Sequence, residues 1–174
     1  MKRFFKVFVF VVCLFFNYTA FAEPLNTAQV SVEGIKPGTK WAEIAQRTDL
    51  NGGLANGAYE WDLYQVHRIQ FVGFDLGVAS RLPVRAGFRG LDDDIIRFID
   101  VLNNEVSLKC GATVGWSKNG VINLLGTPHF ANSKEFGYDV LVDEVRYVTG
   151  KVHFYVSPYN IVEKIVITDG YYDI

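Results

Sequence analysis

The chain has 174 residues, 17 Lys and Arg against 19 Asp and Glu, and about half of its residues are apolar. That near-balance excludes a nucleic-acid binder of the usual kind, which needs a concentrated basic surface. Two cysteines, Cys13 and Cys110, exclude a disulfide scaffold once the first is assigned to the leader described next.

Lys2, Arg3 and Lys6 form a basic start, and Val7 to Phe16 is an unbroken apolar run. Asn17-Tyr18-Thr19 ends the run, and Ala20-Phe21-Ala22 has the small-x-small pattern of a signal-peptidase site before Glu23. The run is too short to cross a bilayer, which needs about 20 apolar residues. Residues 1–22 therefore read as a cleavable export signal. An uncleaved anchor in the inner membrane, lengthened by Tyr18 to Ala22, is the alternative. Cys13 lacks the Leu-Ala-Gly context of a lipoprotein signal. Removing the leader takes three basic residues and no acidic one, leaving a net charge of −5 on residues 23–174. That length suits one domain that buries about 70% of its unfolded surface. Cys110 has no partner in the mature chain, so stability has to come from the core.

Two similar orders follow, a short helix and then strands, within halves set at 30–103 and 104–174. In "PGTKWAEIAQRTDLNGG" (37–53), Thr39 is a plausible N-cap. Trp41, Ile44 and Ala45 share a face, and Asn51-Gly52 is the stop. Strands are predicted at Tyr59–Gln65, His67–Asp75, Leu82–Phe88 and Ile95–Leu102, with the acidic turn Asp92-Asp93-Asp94 between the last two. The second half opens with "GWSKNGVINLLGTP" (115–128). Ser117 caps, Val121, Leu124 and Leu125 form the inward stripe, Gly126 takes a left-handed C-terminal position, and Pro128 prevents continuation. Strands at Phe136–Val148, Lys151–Val156 and Val162–Thr168 complete the chain. Thr149-Gly150 and Ser157-Pro158-Tyr159-Asn160 are read as turns, and Asp143-Glu144 as a bulge or a turn. Short helices set against antiparallel hairpins give an α+β class, with helices on one face of the sheet.

Catalytic constellations are not evident. His67, His129 and His153 are scattered without metal-ligand spacing, and no nucleophile elbow or phosphate loop is present. Asp92-Asp93-Asp94 reads as a solvated turn rather than a calcium loop. The expectation is no catalytic residue, no metal and no cofactor, with a cell-wall hydrolase as the third-ranked alternative. Polar-edged aromatics are more informative. The mature chain carries Trp41, Trp61, Trp116 and eight tyrosines. A strand face bearing Tyr138, Asp139, Asp143, Tyr147, His153 and Tyr155 has the make-up of a protein-binding surface.

The 115–128 stretch resembles the G-[MF]-[ST]-x-x-x-V-x-x-[LI]-[LF]-G-x-P helix of the SmpA/OmlA (BamE-like) and β-lactamase-inhibitor-like superfamily. A second resemblance is to pyocin-immunity-like proteins. It rests on Gly38, Trp41, Glu43 and Ile44, on Ser117, Lys118, Val121, Gly126 and Pro128, on Phe136, Gly137, Tyr138 and Leu141, and on Val162 to Ile165. It covers 115–168 fairly well, 37–45 weakly and 54–110 not at all. These resemblances imply helices packed on an antiparallel sheet, in one or two copies. Together with the leader they imply a periplasmic immunity protein of a Gram-negative bacterium that occludes an envelope-acting toxin. The partner would be a protein, with no nucleic acid and no stable membrane insertion after cleavage. A BamE-like accessory of outer-membrane assembly is the alternative.

Overall fold

The structure, a computed structural model, describes residues 23–61, 64–81, 94–143 and 148–170. In chain order it contains β1 (Leu25–Asn26), α1 (Thr27–Val30), α2 (Trp41–Ala45), β2 (Gly52–Trp61), β3 (Tyr64–Phe71), β4 (Phe74–Arg81) and β5 (Ile95–Val101). There follow α3 (Lys118–Leu125), β6 (Phe130–Ala131), β7 (Glu135–Asp143), β8 (Val148–Val156) and β9 (Val162–Thr168). The chain is mostly β: one mixed, largely antiparallel nine-stranded sheet with three short helices. The sheet runs β1-β7-β8-β9-β5-β4-β3-β2, with β6 beside β7. Among the described strands only β1 and β7 pair in parallel. Two meanders, β2 to β5 and β7 to β9, thus meet along β5 and β9.

Period-two alternation sorts the side chains. Ile69, Leu76, Val78, Ile99, Ile165, Ile167, Val152, Phe154, Phe136, Tyr138 and Val140 fall on one face and join one large buried cluster. The register shifts at Arg97: Gly77 pairs with Phe98 while Val78 pairs with Ile96, a bulge in β5. That bulge lets Ile96 and Ile99 both reach the same cluster.

Val30 of α1, Ile44 of α2 and Val121 of α3 join the cluster as well. Helices of four, five and eight residues are too short to stand alone, so this packing is what holds them. The segments around them are laced together: Lys109 and Cys110 donate backbone N–H groups to Ser31 and Gln29. The start of α3 is fixed to the entry of β9, where Gly115 and Lys118 donate to the carbonyls of Val162 and Asn160.

Ser117 caps α3, its hydroxyl accepting from the Gly120 N–H at 3.0 Å. Gly126 ends the helix at φ 87°, in a region open mainly to glycine. The expected inward stripe needs one correction. Val121 is buried and Ile122 and Leu125 pack on the core, but Leu124 is 45% exposed. At 100° per residue the stripe through 121, 122 and 125 leaves 124 beyond its edge.

The helix expected after Thr39, which is α2, also differs from expectation. Lys40 is its N-cap, without a side-chain bond, while the Thr39 hydroxyl accepts from the Lys36 N–H at 3.3 Å. It ends at Ala45, well before Asn51-Gly52, and Gly52 instead opens β2. Trp41 is half-buried against the core.

Two predicted strands each cross a boundary between observed strands. The 59–65 run is divided between β2 and β3, and 67–75 is split at Gly73, whose φ is 86°. Thr149-Gly150 lies inside β8, opposite Leu141 and Val140. A register shift between Leu141 and Asp143 marks a bulge there. The predicted strand 82–88 lies outside the described residues.

Tyr138 ties sheet to helix: it is fully buried, and its hydroxyl donates to the Gly126 carbonyl at 2.8 Å. Burial pushes its pKa up to about 12, so the group stays a donor at neutral pH. Tyr138→Phe leaves that carbonyl without its partner and is expected to cost about 1–2 kcal/mol, read as a lower urea midpoint with an unchanged slope.

Candidate functional site

The second face of the sheet carries the charge. From β7, β8 and β9 it presents Glu135, Asp139, Lys151, His153, Tyr155 and Lys164, all half-buried. From β5, β4 and β3 it presents Phe98, Asp100, Asp75 and Arg68. The strands alternate apolar residues onto the covered face, so every second position here is free to be polar.

Near β8 the geometry is well defined. The Nδ1 of His153 lies 3.1 Å from the Glu135 carboxylate. The His153 ring sits between Phe130, at 4.9 Å, and Tyr155, at 6.1 Å and nearly parallel. A hydrogen bond to an ionised Glu135 uses the Nδ1–H tautomer and leaves Nε2 as the lone-pair nitrogen. His129 has the opposite arrangement. Its Nδ1 accepts the Asp139 backbone N–H at 2.8 Å. The nearby Asp139 carboxylate, 3.2 Å from the same nitrogen, therefore faces an unprotonated atom and makes no ion pair with it.

Toward the seam the face becomes ionic. Asp75 and Asp100 stand directly opposite each other on β4 and β5, and both are buried. Like charges in register repel, and cations from both sides offset this. Arg68 reaches Asp100 at 2.6 Å and Asp75 at 3.7 Å, and Lys164 reaches Asp100 at 2.9 Å. The Arg68 guanidinium also lies 5.4 Å from the Phe98 ring centre. Asp100 is the better served. One oxygen of Asp75, Oδ1, is buried with no hydrogen-bond partner among the described residues. Burial raises the Asp75 pKa, Arg68 opposes the rise, and Asp100 adds to it. The Tyr155 hydroxyl is likewise raised, first by burial and then by Glu135 and Asp100.

Of the residues expected to form a contact surface, Asp139, His153 and Tyr155 share this face. Tyr138 does not: it is one position out of phase with Asp139 and belongs to the core. Asp143 closes β7, with its backbone paired to Val148. Tyr147, Asp92 and Asp93 lie outside the described residues, and Asp94 is buried. Cys110 is half-buried against the core, and burial raises its thiol pKa, which makes the thiolate scarce. Burial lowers the His67 pKa, partly countered by Asp94. Among the described residues no group of three or more His, Cys, Asp or Glu is placed to hold a metal ion, and no helix is long and apolar enough to cross a membrane.

Sequence reading passed over Arg68, Asp75, Asp100, Glu135, Lys151 and Lys164. A usable signal existed for two of them: a single carboxylate inside an apolar strand, as in "FDLGVA" and "RFIDVL", has to be neutralised once buried. Comparison with protein-family models, with curated proteins and with solved structures gives no match to the chain.

The two aspartates should respond oppositely to neutralisation. A carboxyl whose pKa is raised on folding favours the protonated form. Its cost is absent below the unfolded value, about 3.9, and appears as pH rises through the folded value. Asp75→Asn is therefore expected to hold or raise the melting temperature at pH 7 and to flatten its fall from acid to neutral pH. Asp100→Asn strips Arg68 and Lys164 of their shared carboxylate and is expected to destabilise by about 3 kcal/mol. Thermal melts between pH 4 and pH 8 check both.

Proposed function

We propose that the mature chain is an exported protein-binding inhibitor, an immunity protein that neutralises an envelope-acting toxin by occlusion. The single observation that carries this reading is the His153–Tyr155 pair. It is half-exposed, nearly parallel, and braced by Glu135 and Phe130 in fixed strand register. A rigid aromatic and charged surface binds a protein with little ordering cost, and aromatic side chains of this kind are common interface anchors. Asp139, Lys151 and Lys164 on the same face would supply charged contacts around them. The net charge of −5 on residues 23–174 would hasten encounter with a basic partner.

The leader at 1–22 places the encounter in the periplasm under this reading. The resemblance of 115–168 to immunity-like proteins supports the same assignment. We also read the two meanders, each preceded by at least one short helix, as related halves of an α+β unit.

The test pairs the mature chain with the toxin encoded beside its gene. Periplasmic production should protect cells, and the purified proteins should bind. His153→Ala and Tyr155→Ala should each weaken binding by about 30-fold, the effect of a hot-spot residue of about 2 kcal/mol. Protection that survives the double variant moves the contact off this face, and absence of both binding and protection overturns the reading.

A further inference from the structure

We infer that β2 is a self-association edge, and that two copies of the chain join antiparallel across a two-fold axis at Tyr59. β2 ends the sheet, and among the described residues only β3 pairs with it. Every residue from Gly52 to Glu60 is exposed. Over ten residues the strand carries one charge, Glu60, and no proline. Long edges of this kind are templates for pairing, and proteins usually blunt them with charges, prolines or bulges. Here bulges occupy the first part of the strand, between Gly52 and Leu54 and between Ala55 and Ala58. Residues 58–61 are left regular.

The register says which groups are offered. Trp61 pairs with Tyr64 across a two-residue connection, and Tyr59 pairs with Val66. Such a connection closes on a hydrogen-bonded pair, and bonded pairs recur at every second residue. Ala58 and Glu60, between and beyond the bonded positions, therefore turn their N–H and C=O groups to the free edge. A second copy centred on Tyr59 matches them: Ala58 of each copy faces Glu60 of the other, so four hydrogen bonds form around the axis. Glu60 then meets alanine, whereas a parallel pairing in register would set Glu60 against Glu60. Tyr59 meets Tyr59 in a close, non-bonded pair that favours aromatic contact.

Beyond Ala58 the bulge ends the regular register, at Gly57. Gly57 has φ 88°, and a side chain there would meet nothing within 4 Å. Beside it lies an open hollow of about 460 Å³ lined by Asn56, Gly57, Ala58, Tyr59 and Arg68. An edge glycine and unfilled space therefore lie where a second strand would run past the regular register. This association is independent of the proposed toxin contact, which uses β7 to β9 at the other side of the sheet.

Light scattering on the mature chain should give twice the monomer mass at high micromolar concentration. Ala58→Pro removes an edge N–H that β3 does not use, and should weaken association by tenfold or more with the melting temperature kept. A cysteine pair decides independently of folding losses in that variant. In a Cys110→Ser background, Tyr59→Cys should cross-link two copies under mild oxidation, because Cα atoms of a non-bonded pair stand about 4.5 Å apart, within disulfide range. Leu54→Cys, more exposed than Tyr59 but beyond the bulge, should not. A monomer at every concentration, or cross-linking as ready at 54 as at 59, overturns the proposal.

Discussion

The pairing of β5 with β9 is the interaction on which the remainder depends. Among the described residues the two meanders exchange strand hydrogen bonds only there, through Phe98–Thr168, Ile99–Ile167, Asp100–Val166 and Val101–Ile165. All eight of these residues are buried, so a slip of one position would turn Ile99, Val101, Ile165 and Ile167 out of the core. Ion pairs reinforce the register on either side of the bonds. Lys164 of β9 reaches Asp100, and Arg97 of β5 reaches Asp169 just beyond β9. A one-residue slip would separate both pairs as well.

Once that seam is set, the two faces divide the work. One face gathers aliphatic and aromatic side chains from strands of both halves and closes under segments 27–36, 41–50 and 106–125. The other carries buried carboxylates that no apolar packing can satisfy. Placing Asp75 beside Asp100 costs stability, which Arg68 and Lys164 return only in part. The gain is specificity of register: a cation on β3 and another on β9 each find a carboxylate in one alignment of the strands. The half-exposed group of Glu135, His153 and Tyr155 stands on the same rigid platform, and its positions follow from strands whose opposite face is packed.

Much of the local structure is legible in the sequence. Ser117, Gly126 and Pro128 bound a helix by capping and backbone preference alone, and Lys151–Val156 alternates so cleanly that both its faces can be assigned. Legibility fails where composition and structure disagree. "GGLANGAYEW" has the residues of a turn and becomes a strand because β3 bonds to it. The 59–65 and 67–75 runs are apolar throughout enough of their length to hide the strand boundaries that divide them. Tyr138 looks like a surface tyrosine beside Asp139, yet strand phase sends it into the core, where the Gly126 carbonyl takes its hydrogen bond.

The sequence by itself determined an apolar N-terminal run, an acidic balance with a single cysteine over residues 23–174, a largely antiparallel sheet, and one well-capped helix. These depend on neighbours within a few residues, through periodicity, capping and charge count. Tertiary structure alone decided that β5 meets β9, that Asp75 meets Asp100, and that Glu135, Phe130 and Tyr155 gather around the His153 ring. Those contacts join residues far apart in the chain, and their energies depend on burial and alignment that no local pattern encodes.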